Sequence, residues 1–237
     1  MSAGSAKRTA ILISGRGSNM AALVEAAAAP GFPACVELVL SDRAEAAGLA
    51  FARSQGIATQ ALERRQFSSK EAHDEAIEAA LRGAGIELVC LAGYMRLLTK
   101  SFVDAWAGRM INIHPALLPS FKGLDTHARA REAGVRIHGC TVHFVTFETD
   151  AGPIIAQAAV PVLVGDTPET LGARVLQAEH ALYPLAFELV ASGKARVEEG
   201  KTVFSDIAEA EAGAVIVSPG IAREAPPDLQ SLARLTP

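Results

Sequence analysis

The chain has 237 residues, half of them hydrophobic, which is enough for one large α/β domain or two small ones with a real core. A net charge of −4 without a long Lys/Arg run argues against a nucleic-acid surface, and no apolar stretch is long enough to span a bilayer. Cys35, Cys90 and Cys140 stand singly in apolar surroundings, the pattern of reduced cytoplasmic thiols and not of a disulfide framework or zinc site. Met1 to Arg8 carries two basic residues and no cleavage signature.

Taken in order, Arg8–Ser14 reads as a buried strand, Gly15–Asn19 as a glycine-rich turn and Met20–Ala28 as a helix. Strand, glycine turn and helix is the arrangement in which backbone N–H groups hold a phosphate. Met20 replaces the third glycine of a dinucleotide fingerprint, and the Gly-Lys-Ser/Thr ending of a P-loop is missing. Two readings of Gly17, Ser18 and Asn19 remain: a single-phosphate cradle, or a tight turn with Ser18 or Asn19 as helix cap. The alternation continues with strand Cys35–Leu40, helix Ala44–Gln55, strand Ile57–Leu62, helix Ser68–Arg82, strand Glu87–Ala92, helix Thr99–Trp106 and strand Arg109–His114. This rhythm predicts a Rossmann-like, doubly wound α/β fold with helices on both faces of a mostly parallel sheet. In strand order 3-2-1-4-5, the loops Gly15–Asn19 and Gly93–Leu98 flank the switch-point crevice, and His114 looks into it.

Beyond that lie a loop Pro119–Asp125, a short helix Thr126–Ala133, and strands Ile137–Phe147 and Ile154–Val162 joined by the turn Glu148–Pro153. The two strands predict a hairpin that makes one sheet edge mixed. Asp166 or Thr167 caps a helix running to about Ser192, and Val197–Phe204 reads as a last strand or hairpin. No repeat or linker breaks the chain, so residues 1–207 are expected to be one domain and 208–237 a loosely held tail.

The chemistry concentrates at Met110–Pro119. Asn112 and His114 are two residues apart on a strand that Pro115 ends, so both side chains share a face. A carboxamide donor beside an imidazole suits a site that stabilises an oxyanion and moves a proton; the plainer reading is a strand end satisfying loop backbone. His143 reads more readily as a structural histidine, His73 and His127 receive no role, and no spacing suggests a metal site.

Asn112-Ile-His114-Pro-Ala-Leu-Leu-Pro119 and Asp150-Ala-Gly-Pro-Ile-Ile155 resemble the catalytic segments of the folate-dependent formyltransferases. Ile13-Ser-Gly-Arg-Gly-Ser-Asn19, Leu91-Ala-Gly-Tyr-Met-Arg-Leu-Leu98, His138 to Thr146 and Gln177 to Pro184 resemble the branch acting on glycinamide ribonucleotide, in unbroken order over about Arg8–Val197. Methionyl-tRNA formyltransferases are expected to carry an extra basic C-terminal domain and formyltetrahydrofolate deformylases an N-terminal regulatory one, so length favours the glycinamide branch. Arg16, Ala116, Ala151 and Asp125 depart from the family pattern without touching the Asn–His–Asp set.

The resemblance implies formyl transfer from 10-formyltetrahydrofolate, a co-substrate, to the amine of glycinamide ribonucleotide in purine biosynthesis, without a metal. It implies catalysis by Asn112, His114 and Asp150, with the ribonucleotide held by Gly17, Ser18, Asn19 and Glu179. It implies folate contacts from Lys70, Met95, Arg96, Leu97, Leu98 and Asn112, although Lys70 also reads as a solvated helix lysine. The partners implied are these small molecules, with no nucleic acid or membrane, in a cytoplasmic monomer or homodimer. A folate- or nucleotide-binding regulatory module and a deformylase are the competing readings.

Overall fold

A computed structural model describes residues 6–207 and residue 218; the tail expected over 208–237 otherwise lies outside the described residues. Its first half alternates β1 (Lys7–Ile13), α1 (Ser18–Ala27), β2 (Ala34–Ser41), α2 (Ala47–Ser54), β3 (Ala58–Ala61), α3 (Lys70–Gly83), β4 (Leu88–Leu91), α4 (Lys100–Ala105) and β5 (Met110–His114). α5 (Thr126–Glu132), β6 (Ile137–Phe144), β7 (Ile154–Pro161), α6 (Pro168–Ala191), β8 (Ala195–Glu198) and β9 (Lys201–Phe204) follow. The main sheet runs β3-β2-β1-β4-β5-β6-β7, so the first five strands take the expected order. β1 to β5 pair in parallel, while β6 is antiparallel to both neighbours, which gives the mixed edge.

The side-chain period of two explains why the central strands β1 and β4 carry unbroken apolar runs. Ile11 and Ile13 of β1 face a core built with Met20, Leu23, Tyr183 and Phe187 from α1 and α6. Ala10 and Leu12 face the opposite core, with Ile77 and Leu81 from α3, Phe102 from α4 and Trp106 just after it. A strand covered by helices on both faces cannot alternate apolar with polar. The same parity on β5 puts Ile111 and Ile113 in the first core, so Asn112 and His114 share the other face with Met110. Burying each such Ile or Leu is worth about 1.5–3 kcal/mol, which holds the parity of the strand against a one-residue slip.

Several boundaries differ from the sequence reading. α1 starts at Ser18 because Gly17, at φ 76°, occupies the N-cap position; neither Ser18 nor Asn19 caps the helix by a side chain. α2 begins at Ala47, after a turn through Ala44 and Glu45. β6 stops at Phe144, since Val145–Phe147 leave the ladder for the following loop. Thr167 caps α6 in a capping box with Thr170, whereas Asp166 is engaged by Arg174 at 2.7 and 2.9 Å. The region read as Val197–Phe204 is the hairpin β8–β9, a separate two-stranded sheet. No helix among the described residues is long and apolar enough to cross a membrane.

Candidate active site

The change of strand direction at β5 builds the first part of the site. The antiparallel register sets Asn112 opposite His143 and His114 opposite Thr141. His143 Nδ1 lies 2.9 Å from the Phe144 carbonyl, which only accepts, so the ring proton sits on Nδ1. Nε2 is then the acceptor for the Asn112 Nδ2–H at 3.3 Å. Burial pushes the His143 pKa down, against the opposing pull of the Phe144 carbonyl and Asp150, and keeps the ring neutral in this role. One amide N–H of Asn112 is thereby fixed, and its second N–H and its carbonyl oxygen remain for a ligand.

His114 is held between two acceptors. Its Nε2 donates to the Phe121 carbonyl at 3.0 Å, and its Nδ1 stands 3.4 Å from Asp150 Oδ2. Asp150 Oδ2 also accepts the Gly123 N–H at 2.8 Å, and Asp150 Oδ1 lies 3.9 Å from His143 Nε2. Asp150 reaches this position because the β6–β7 loop folds back over the sheet, where the Phe144 N–H donates to the Pro153 carbonyl. A Cβ on Gly152 would collide with the Phe144 carbonyl oxygen, so this approach requires glycine. Asp150 and Phe121 both have positive φ, 51° and 54°, a cost accepted in non-glycine residues where the surroundings fix them.

The segment after His114 is fastened by groups the sequence reading passed over. Thr141 Oγ1 donates to the Ala116 carbonyl and accepts the Leu118 N–H, while Gln157 donates to the Leu118 carbonyl. Thr126 holds the Pro115 carbonyl. Ala116 is fully buried, so a serine there would have to find a partner inside the fold. His127, given no role above, meets His138 at 3.2 Å beneath the loop; burial, then the charge of His127, pushes His138 down to about 4. The pairing of β6 with β5 and β7 and the docking of α5 set these contacts, and a single sequence states neither.

At the other end of the crevice, β1 and β4 lie side by side, with Ser14 N–H on the Gly93 carbonyl. Gly17 turns the chain into α1 in the left-handed region, and a Cβ on it would meet Gly48 Cα at 3.0 Å and Met20 Cε at 2.8 Å. The first N–H groups of α1 have no intrahelical acceptor and form the open end that Gly17–Asn19 present. Asn19 Nδ2 donates to Glu179 Oε2 at 2.6 Å, while the buried Asn19 Oδ1 has no partner among the described residues. Burial raises the Glu179 pKa, and the Asn19 hydrogen bond opposes that shift. Asn19 and Glu179, far apart in the chain, are thus one unit.

Against the first of these centres lies a cleft of about 310 Å³ lined by Lys70, Tyr94, Arg96, Leu97 and Leu98, with Asn112, His143 and Asp150 facing it; Gly17, Ser18, Asn19 and Glu179 do not line it. Met95 does not line it; 60% exposed, it faces a neighbouring cleft. Its backbone is held instead, by an N–H to Ser14 Oγ at 2.9 Å. Among the described residues no three His, Cys, Asp or Glu side chains converge to hold a metal ion.

Residues 7–187 match the formyl transferase family. The chain belongs to that family. It is 45% identical to phosphoribosylglycinamide formyltransferase of Escherichia coli strain K12 over 189 residues, which is 80% of this chain and 89% of that protein. It is 49% identical over 192 residues to the chicken trifunctional purine biosynthetic protein adenosine-3. That match covers 81% of this chain and only 19% of the relative, and among the trifunctional proteins it matches the chain spans between 14% and 19% of their length. The crystal structure of the Brucella melitensis phosphoribosylglycinamide formyltransferase superposes with a TM-score of 0.76 at 60% identity, covering 79% of this chain and 97% of that one. The formyl transferase matches and the mixed-edge sheet agree with the fold expected from the resemblance.

Proposed function

We propose that this formyl transferase moves the formyl group of 10-formyltetrahydrofolate to the primary amine of glycinamide ribonucleotide, a step of purine biosynthesis. The observation that carries the reading is that Asn112 and Asp150 face one cleft, with the buried His114 Nδ1 3.4 Å from the Asp150 carboxylate. Gly17, Ser18 and Asn19 hold the ribonucleotide phosphate on backbone N–H groups, and Glu179, tied to Asn19, faces the sugar or glycinamide end. Leu97, Leu98 and the backbone about Arg96 wall the pterin, Met95 contributes through its fixed N–H segment, and Lys70 meets the glutamate carboxylate.

The amine is already a nucleophile, so no activated Ser or Cys is needed. Its attack on the formyl carbon forms a C–N bond and places negative charge on the formyl oxygen. The free Asn112 N–H and the His114 Nε2–H stabilise that oxygen, at about 3–4 kcal/mol for a donor of this kind. To donate there, His114 exchanges the Phe121 carbonyl for the substrate oxygen. Asp150 stabilises the imidazolium and, with a water, carries the proton lost by the amine toward N10 as the C–N10 bond breaks. Tetrahydrofolate and the formylated ribonucleotide leave.

The reaction belongs in the cytoplasm, consistent with Cys35, Cys90 and Cys140 all being free thiols. Residues 1–207 form the catalytic domain, and no metal takes part. Purified protein mixed with 10-formyltetrahydrofolate should release tetrahydrofolate only when glycinamide ribonucleotide is present. Release without the ribonucleotide identifies a deformylase and removes the phosphate role of Gly17 to Asn19; binding without turnover in either case identifies a regulatory module.

A further inference from the structure

Ser14 follows the last residue of β1 and is buried. Along the chain it opens directly into the glycine turn Gly15–Asn19. Across the sheet it holds the loop after β4 by two hydrogen bonds. Its N–H donates to the Gly93 carbonyl at 3.2 Å, and its Oγ accepts the Met95 N–H at 2.9 Å. The first bond continues the β1–β4 ladder, in which the Ala92 N–H donates to the Leu12 carbonyl. The second lies past the ladder and is made by a side chain, so strand pairing does not require it.

The loop Gly93–Leu98 has little else to fix its backbone. Among the described residues, Met95 carries the one N–H of Tyr94–Leu98 that has a protein acceptor. The next amide held is that of Thr99, which donates to the buried Asp74 Oδ2 at 2.6 Å. A stretch with so few backbone hydrogen bonds opens at low cost. The glycine turn, by contrast, is seated against the start of α2. The Gly15 carbonyl accepts the Gly48 N–H at 3.2 Å, and a Cβ on Gly17 would stand 3.0 Å from Gly48 Cα. A ligand that fixes this turn therefore fixes Ser14, and with it the acceptor for Met95.

We propose that Ser14 is a positioning residue that couples the two substrate sites, so that ribonucleotide on the glycine turn tightens folate in the cleft. The coupling rests on the ribonucleotide and folate readings above. Ordering Gly93–Leu98 is a cost that folate meets when it binds alone, and a first ligand on the turn removes part of it. By linkage the effect is reciprocal, and folate tightens the ribonucleotide by the same factor. Ser14 acts through the Met95 backbone and takes no part in the chemical step.

The test is calorimetric titration of tetrahydrofolate into the full chain, with and without saturating glycinamide ribonucleotide. This pair has no formyl group to transfer, so the ternary complex does not react. In the unaltered protein the ribonucleotide should tighten tetrahydrofolate about fivefold, the lower end of ordinary coupling between sites. Ser14→Ala keeps the N–H on Gly93 and removes Oγ, and should cut the factor below about twofold, the loss expected for one hydrogen bond. Asp74→Ala frees the same loop at its other end, so it should weaken tetrahydrofolate alone and leave the factor in place. Independently of any variant, glycinamide ribonucleotide alone should slow amide hydrogen exchange at Met95 by about threefold or more. No coupling in the unaltered protein, a factor retained in Ser14→Ala, or Met95 exchange untouched by the ribonucleotide overturns the inference. Binding of each ligand by itself then leaves the functional reading standing, whereas a ribonucleotide that does not bind at all removes both.

Discussion

His143→Phe separates a residue that acts through Asn112 from one that merely fills the fold. Phenylalanine keeps the ring volume and removes both polar atoms: the acceptor for Asn112 Nδ2–H at 3.3 Å and the donor to the Phe144 carbonyl. A net hydrogen bond of about 1 kcal/mol orients the Asn112 amide, so kcat should fall about five- to tenfold. Both KM values should move little, since the amide acts on the developing oxyanion. Asn112→Ala removes the donor itself and should cost about 10²–10³ in kcat. In the double variant, His143→Phe should add less than about twofold, because the group it orients is gone. Steady-state formyl transfer read by tetrahydrofolate release gives all four corners of the cycle. The Phe144 carbonyl loses its donor, so the thermal midpoint is followed alongside and should fall equally in both backgrounds. If His143→Phe costs its full factor in kcat without Asn112 present, the orientation argument is wrong.

Asp150→Asn keeps an acceptor for the Gly123 N–H while removing the charge opposite His114 Nδ1, and kcat should fall about 10²–10⁴-fold, the range of a positioned acid–base group; a loss under threefold would remove Asp150 from the chemistry. Gly17→Ala places a Cβ 3.0 Å from Gly48 Cα at a left-handed φ, at about 1–2 kcal/mol for the backbone alone. Its KM for glycinamide ribonucleotide should rise about tenfold while the KM for the folate holds; equal rises in both would detach this turn from the phosphate. His138 is held near 4, below its unfolded value of about 6.5, so its contribution to stability is complete above about pH 6.5 and is lost as pH falls toward 4. The thermal midpoint should drop through that window and drop less in His138→Gln; parallel curves for the two proteins would assign the acid sensitivity elsewhere.

The parts legible in the sequence are those fixed by local period. The buried runs Ala10–Ile13 of β1 and Leu88–Leu91 of β4 read correctly because strands covered on both faces stay apolar at every position, and the shared face of Asn112 and His114 follows from parity alone. Parity does not say what stands across the ladder. The partner of Asn112 is set by the β5–β6 register, so His143 looked like one more core histidine until the pairing placed it opposite. Asn19 and Glu179 were each named for a ligand role, yet their 2.6 Å contact depends on α1 packing against α6 and has no local signal. Met95 shows how little apolar character says about direction. Its apolar character suggested a wall of the pterin cleft, whereas the loop after β4 turns it outward and uses its N–H.

The reach of Asp150 is the step that makes one site of these pieces. β6 runs antiparallel to β5, so the chain leaves β6 beside the start of β5, with the Val145 N–H on the Met110 carbonyl and away from His114. A short turn there would leave the carboxylate far from the imidazole. The loop instead folds back across the face that carries Asn112 and His143, seated by Gly152 against Phe144, while Phe121 and Gly123 advance from the far end of β5 to meet it. Two loops at positive φ, one from each end of β5, are therefore what place Asp150 and the Phe121 carbonyl on opposite nitrogens of His114. The strain in both is concentrated where the proposed transfer moves a proton, so substitutions that relax Gly152 or the Phe121 turn should reach kcat through the His114–Asp150 distance before they reach the affinity of either substrate.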